Sequence, residues 1–309
     1  MEAEQKRCGF VAVLGVPNAG KSTLVNALVG SKVSIVSRKV QTTRMQVRGI
    51  AIRGSAQIVL VDTPGIFLPK RRLDQAMVQS AWKGAVDADV VLVVVDASEQ
   101  AKRPHANPTE DTKRLIDGLK EVKREVAIVL NKIDACPHET LLPVAKRMDE
   151  TGLFDSIFMV SAQTGEGLED VAAYCTNKIP FGPWHYPEDQ AADIPSRLLA
   201  AEITREKLYL RLHDELPYAS TVVSESWVEK LDGSVRIDQT IYVERVGQKA
   251  IVIGKGGQTI KAIGEAARRE MTEIFSRRVH LFLHTKVSER WGEQRKHYFD
   301  MGLKYPENQ

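Results

Sequence analysis

The chain of 309 residues has little of what would tie it to a membrane or an oxidising compartment. None of its apolar runs approaches the ~18 residues that suggest a membrane span. Its three cysteines, Cys8, Cys136 and Cys175, are scattered and form neither a framework nor a CxxC pair. Reduced thiols in a cytoplasmic protein are the simplest reading. The opening Met1-Glu2-Ala3-Glu4-Gln5-Lys6-Arg7 runs directly into an apolar segment and leaves no room for a signal peptide. The chain is neither poor in apolar residues nor rich in Gly and Pro, which excludes disordered and fibrous classes.

What is present is enough chain for two domains with separate cores. The net charge of +3 is unevenly spread. Residues 1–80 hold 12 Lys and Arg against 4 Asp and Glu, whereas 81–190 hold 12 against 19. A late block, 245–296, holds 12 against 5, which is compatible with a polyanionic partner or with solvated charged helices.

Apolar strand candidates recur at Phe10–Leu14, Gln57–Val61, Val90–Val95, Val126–Leu130 and Ile157–Val160. Helical patterns at Leu73–Val86, Thr109–Lys123 and Gly167–Lys178 separate several of them. Alternation of Val/Ile-rich strands with helices predicts a doubly wound α/β domain, residues 1–178, with a mainly parallel sheet. The proline-dense stretch 179–195 reads as a linker. From 196 to 309 the rhythm changes: a helix at Ser196–Leu212, two strands flanking Asp232-Gly233, a glycine-rich loop leading into a helix, and a closing strand at Val279–Val287. That is a smaller α+β module.

The segment Gly15-Val16-Pro17-Asn18-Ala19-Gly20-Lys21-Ser22 fits G-x-x-x-x-G-K-[ST], and it stands between a strand and a helix. That arrangement aims backbone N–H groups and a positive helix end at phosphate oxygens; the alternative is a structural turn before a helix. Lys21 is expected to bridge β- and γ-phosphates, and Ser22 to place its hydroxyl on Mg²⁺. Asp62-Thr63-Pro64-Gly65 ends the next buried strand. Asp62 is expected to hold Mg²⁺ through water, while Gly65 permits close approach to the γ-phosphate; the alternative is an Asx turn. Asn131-Lys132-Ile133-Asp134 selects the base, since a carboxylate at Asp134 can accept from both guanine N1–H and its exocyclic amine, whereas adenine offers one acceptor and one donor. Asn131 would tie this loop to the phosphate loop, and the Lys132 stem would cover the base. Ser161-Ala162 would reach the base O6 through backbone N–H groups.

These four segments, in this order, resemble the signatures of translation-factor-type GTPases of the P-loop NTPase class. The resemblance implies binding of GTP and GDP with Mg²⁺, and a switch I threonine at Thr42 or Thr43, with Thr43 preferred. The expected catalytic set is Lys21, Thr43 and Gly65, and the metal set Ser22, Thr43 and Asp62. Ras-like members place a glutamine after the glycine of D-x-x-G; here Ile66 stands there, which implies slow turnover without a glutamine-held water. Asn18 resembles the asparagine of members that use K⁺, and equally fits an Asx turn.

In the second module, Ile251-Val252-Ile253-Gly254-Lys255-Gly256-Gly257-Gln258-Thr259-Ile260-Lys261 matches the core of a KH domain. The turn Gly254, Lys255, Gly256, Gly257 lets backbone approach a nucleic-acid strand, and Lys255 and Lys261 add charge. Ile253 and Ile260 would floor the groove, and Arg268, Arg269, Arg277, Arg278 and Lys286 are candidate phosphate contacts. The two domains in this order resemble the Era-type (TrmE–Era–EngA-like) bacterial GTPases with a type II KH domain. That resemblance implies single-stranded RNA as partner, namely the 3′ end of 16S rRNA, a role in 30S subunit biogenesis, and peripheral contact with the inner membrane by an otherwise cytoplasmic monomer. The coupling expected is that Arg38–Arg44 and Ile66–Arg72 change order with the γ-phosphate and reposition the KH domain. Two rival readings remain: a phosphate-loop kinase of small metabolites, against which Asn131–Asp134 speaks, and a GTP-dependent scaffold with a structural G-x-x-G turn.

Overall fold

The computed structural model describes residues 5–102, 109–213 and 216–307; the first four residues, read above as excluding a leader, lie outside them. The chain divides into two compact units, 1–193 with 298–309, and 194–297.

The first unit contains β1 (Arg7–Gly15), α1 (Lys21–Val29), β2 (Val47–Arg53), β3 (Ala56–Asp62), α2 (Arg72–Asp87), β4 (Val90–Asp96), α3 (Ala97–Ala101), α4 (Glu110–Leu119), β5 (Glu125–Asn131), α5 (Leu141–Asp149), β6 (Ser156–Val160), α6 (Leu168–Lys178) and β7 (Ala192–Asp193). The sheet runs β6-β5-β4-β1-β3-β2-β7, and only β2 runs against the other strands, pairing antiparallel with β3 on one side and β7 on the other. Side-chain alternation splits β1 between two cores. Val11 and Val13 pack with Leu24 and Val25 of α1 and Val171 of α6, while Ala12 and Leu14 pack with Ala81 and Ala85 of α2 and Leu115 of α4. All four β1 residues are fully buried, and each such Val or Leu contributes about 1.5–3 kcal/mol by leaving water. Burial on both faces explains why these strands read as unbroken apolar runs. The parallel strands direct Gly15, Asp62, Asn131 and Val160 to one end of the sheet. Pairing of Val13 with Asp62, Asp96 with Asn131 and Asn131 with Val160 sets their register.

The stretch read as a linker is bound to this unit. Gln57 Nε2 donates to Tyr186 O at 2.8 Å, its Oε1 accepts from the N–H groups of His185 and Tyr186 at 2.9 and 3.0 Å, and Trp184 Nε1 donates to Ser55 O at 3.0 Å. Asp193 then pairs with Arg48 in the sheet, with an ion pair of 3.0 Å between their side chains. Residues 298–309, placed with the second module by sequence, cluster with the first unit. There the Arg72 guanidinium lies 4.9 Å from the Tyr305 ring centroid.

The second unit contains α7 (Ser196–Arg211), β8 (Ser220–Glu229), β9 (Val235–Val243), α8 (Val246–Ile253), a short 3-10 turn at Lys255–Gly257, α9 (Gln258–Ile274) and β10 (Val279–Val287). A last helix, α10 (Arg295–Asp300), spans the division between the units. The sheet order is β10-β9-β8, with β8 antiparallel and β10 parallel to β9. The β8–β9 hairpin closes where expected: Lys230 N–H donates to Ser234 O at 2.8 Å, and Gly233 takes the positive φ of +79° that glycine tolerates. Among the described residues, no helix is long and apolar enough to cross a membrane.

Candidate functional site

The glycine loop joins the end of β1 to the start of α1. At its far end Gly20, φ +94°, leads directly into Lys21, so the first orphan N–H groups of α1 open toward the loop. Val16 is partly buried against the core, Ala19 is fully buried, and Asn18 is exposed in left-handed backbone, φ +63°. Lys21 is buried, and its ammonium donates to Gly15 O at 3.2 Å and Val16 O at 3.0 Å. Burial pushes its pKa down to about 8, against the pull of the Asp62 carboxylate.

Ser22 Oγ donates to Asp62 Oδ2 at 2.7 Å and lies 2.8 Å from Thr43 Oγ1, which in turn stands 3.4 Å from Asp62 Oδ2. The three expected metal ligands therefore converge. Thr42 is held elsewhere: its hydroxyl donates to Lys39 O at 2.7 Å and meets Ser37 Oγ at 2.6 Å. Asp62 is fully buried, and burial raises its carboxyl pKa despite the Ser22 hydrogen bond and the Lys21 charge. Its Oδ1 meets no hydrogen-bond partner among the described residues. An orphaned buried carboxylate oxygen beside two hydroxyls is a hard-oxygen set of the type Mg²⁺ takes, so the residues present fit that ion.

The segment after β3 packs on the loop. Thr63 Oγ1 donates to Val13 O at 2.7 Å, Ile66 N–H donates to Gly15 O at 3.0 Å, and a Cβ on Gly65 would stand 2.9 Å from the Pro17 nitrogen. Pro64 completes this tight passage. The Ile66 side chain is turned into the core, 2% exposed, so it contributes shape and no polar contact.

Asn131, at the end of β5, donates from Nδ2 to Ala19 O at 2.9 Å and accepts at Oδ1 from Ala162 N–H at 3.0 Å. It ties the loop after β5 to the glycine loop, the link that the sequence predicts. Ile133 is buried in the core, which anchors the turn that presents Asp134. Asp134 Oδ1 accepts from Ser161 Oγ at 2.6 Å. Ser161 and Ala162 lie beside this loop: Ser161 N–H donates to Glu166 O at 3.0 Å, and Ala162 N–H donates to Asn131 Oδ1. Sequence reading missed Asp96, at the end of β4, whose Oδ2 accepts from Lys132 Nζ at 2.5 Å. An acidic residue closing an apolar strand was the available signal, the same one that marked Asp62.

In the second unit the turn from α8 to α9 is built on positive φ at Gly254 (+74°), Gly256 (+59°) and Gly257 (+78°). A Cβ on Gly254 would stand 2.2 Å from Thr259 Oγ1, so this glycine is needed for space as well as conformation. Lys255 and Lys261 are exposed. Ile260 packs against the core formed by Val252 and Ile263, and Ile253 is half-buried. Arg268, Arg269, Arg278 and Lys286 are exposed, whereas Arg277 is tied to Glu229 at 3.1 Å.

Comparison with known proteins agrees with this geometry. The family described as 50S ribosome-binding GTPase matches residues 10–132, and the KH domain family matches residues 215–292. The GTPase Era of Brucella suis biovar 1 (strain 1330) is 58% identical over 305 residues, covering 99% of this chain and 96% of its own. The GTPase Era of Caulobacter vibrioides (strain NA1000 / CB15N) is 56% identical over 306 residues, covering 97% of each. A crystal structure of an Aquifex aeolicus Era variant bound to GDP·AlF4⁻ has a TM-score of 0.89 at 36% identity, covering 96% of this chain and 99% of that one. Another, of Era in complex with MgGDPNP and nucleotides 1506–1542 of 16S ribosomal RNA, matches with the same values.

Proposed function

The chain belongs to the Era family of GTPases, and from that membership we propose that its first unit binds and hydrolyses GTP as a switch over single-stranded RNA held by its second. The observation that carries the reading is the convergence of Ser22, Thr43 and Asp62, with the buried Asp62 Oδ1 left for a ligand.

The backbone of Gly15–Ser22 and the start of α1 cradle the phosphates, and Lys21 adds a fixed positive charge against their β- and γ-oxygens. Burial has already stripped water from that ammonium, so phosphate oxygens replace the carbonyls it now contacts without a further large desolvation cost. Ser22, Thr43 and Asp62 are the residues that would hold Mg²⁺, which when bound would supply positive charge against the phosphate oxygens. Asp134 accepts from both donors of guanine, and the Lys132 stem covers the base. In hydrolysis a water oxygen bonds to the γ-phosphorus as the bond to the β–γ bridging oxygen breaks, giving GDP and inorganic phosphate. Ile66, packed into the core, cannot orient that water, so turnover is slow unless another group or partner supplies it. Asn18, exposed on the loop, is the residue through which a K⁺ ion would offset phosphate charge; replacing K⁺ by Na⁺ in a turnover assay tests this.

The second unit presents the Gly254–Gly257 turn with Lys255 and Lys261 beside it, suited to a strand whose backbone must come close and whose phosphates need counter-charge. The related Era solved with nucleotides 1506–1542 of 16S ribosomal RNA supports the 3′ end of that RNA as the target; a monomer acting in 30S maturation in the cytoplasm is the setting we propose on the family resemblance alone. RNA affinity measured with GDP and with a non-hydrolysable GTP analogue tests the switch. Tighter binding with the analogue is expected; equal affinities overturn the coupling, since a ligand without differential affinity cannot shift an equilibrium.

A further inference from the structure

Asp96 joins two structures that no sequence motif connects. It is the last residue of β4 and pairs in register with Asn131 of β5, so its side chain leaves the sheet beside Lys132. Its Oδ1 accepts from Ser98 Oγ at 2.6 Å and from Glu99 N–H at 3.2 Å, which makes it the N-cap of α3. Its Oδ2 accepts from Lys132 Nζ at 2.5 Å, and the same ammonium donates to Asn18 O, in the phosphate loop, at 2.7 Å. The Asp96 side chain is 15% exposed and that of Lys132 36%. Burial alone would raise the Asp96 carboxyl, but the Lys132 ammonium and the Ser98 hydroxyl outweigh it and hold the pKa below the usual range.

The relay has a direction. Helix α3 fixes Asp96 through two hydrogen bonds, Asp96 fixes the ammonium of Lys132, and Lys132 fixes the loop at Asn18. Both ends of the last link sit in left-handed backbone, Asn18 at φ +63° and Lys132 at φ +66°; asparagine tolerates that conformation, whereas a lysine holds it at a cost that its neighbours must offset. A lysine head without an anchor would swing into solvent, taking its stem off the base and its donor off the loop. We infer that Asp96 is a positioning residue for the nucleotide: it holds Lys132 so that one side chain both covers the base and clamps the phosphate loop, and it thereby slows nucleotide release.

This inference rests on the nucleotide-site reading above, and the test separates the two. Release of a fluorescent GDP analogue is timed by stopped flow for wild type, Asp96→Asn, Lys132→Met and the double variant. The amide of Asp96→Asn still caps α3 but no longer presents an anion to Lys132. We expect its GDP release to be about tenfold faster, worth about 1.4 kcal/mol, with little further acceleration when Lys132→Met is added. Preference for GDP over the xanthosine analogue should stay unchanged, because Asp134 sets it. Wild-type protein that binds no guanine nucleotide would sink the site reading itself. A wild type that binds GDP, alongside an Asp96→Asn variant releasing it within twofold of the wild-type rate, or effects of the two substitutions that simply add, would overturn the positioning role alone. If Asp96→Asn does not fold, Asp96→Ser, which keeps a capping oxygen, is judged by the same two criteria.

Discussion

A Cβ placed on Gly20 would stand 2.2 Å from Nδ2 of Asn131, so the glycine loop and the loop after β5 touch where there is no room for one methyl group. The contact is made by the amide that also donates to Ala19 O. Asn131 is 2% exposed, so displacing it would leave a buried amide short of partners. Gly20 also holds φ at +94°, which an L side chain adopts only with strain. Gly20→Ala should therefore weaken GDP binding by at least about a hundredfold, roughly 2.7 kcal/mol, while far-ultraviolet circular dichroism stays native. Titration calorimetry showing affinity within threefold of wild type would refute the coupling of the two loops.

Thr43 and Thr42 are adjacent and chemically identical, yet only Thr43 reaches Ser22 and Asp62, whereas Thr42 is bonded to Ser37 and Lys39. Thr43→Ala should lower Mg²⁺-dependent GTP turnover by about tenfold or more, the loss of one oxygen ligand in a transition state that depends on charge neutralisation. GDP affinity should change by less than threefold. Thr42→Ala should leave turnover within twofold of wild type. Phosphate-release kinetics on both variants make the comparison, and equal losses at the two positions would contradict this assignment of the metal shell.

Lys21 carries a pH signature. Its pKa lies near 8 in the folded protein against an ordinary value of 10.5, so between those values the unfolded chain binds more protons and stability rises with pH. Below pH 8 the cost of burying the charged ammonium is fully present; it is relieved as pH climbs to about 10.5, by about 3 kcal/mol at most. Denaturant unfolding of nucleotide-stripped protein should show wild type gaining on Lys21→Met across that window. Other groups titrating there cancel in the difference. Parallel curves for the two proteins would mean that Lys21 is solvated and not poised by burial for phosphate.

The sheet of the first unit was legible because its central strands are buried on both faces, and an unbroken run such as Val90–Val95 has few other readings. The nucleotide motifs were legible for a related reason: they sit at the ends of those strands, where Asp62 and Asn131 interrupt the apolar runs. Strand β2 escaped, since Arg48 and Gly49 break its pattern and its far neighbour is the two-residue β7. Helix α5 escaped because Pro143 sits in its first turn. The proline-dense stretch 179–195 looks like a linker by composition, and nothing local reveals that Gln57 would hold it. Likewise the Asp96–Lys132 contact depends on pairing Asp96 with Asn131, a register that exists only in the folded sheet. The internal acceptors of the Ser161 and Ala162 amides, Glu166 O and Asn131 Oδ1, were hidden from the sequence too, because those contacts exist only once the turn after β6 has folded.

The turn in the second unit allows binding and folding to be separated by single substitutions. Gly254 has φ +74° and a neighbour, Thr259 Oγ1, only 2.2 Å from where its Cβ would lie. Lys255 is exposed one residue later, and its ordinary backbone bears no such constraint. Gly254→Ala should thus lower the melting temperature of the second unit's transition, by an amount corresponding to about 1–3 kcal/mol, and weaken RNA binding with it. Lys255→Asp should leave the melt within 1–2 °C or so of wild type, the usual range for a surface change. It should still weaken binding of a single-stranded RNA ending in the 16S rRNA 3′ sequence by about tenfold or more at low salt, because it removes a cation and adds an anion at the phosphate path. The loss should shrink as salt rises and screens that charge. Fluorescence anisotropy at two salt concentrations reads both effects. An Asp at 255 that binds RNA like wild type at low salt would mean the turn joins two helices and does nothing more.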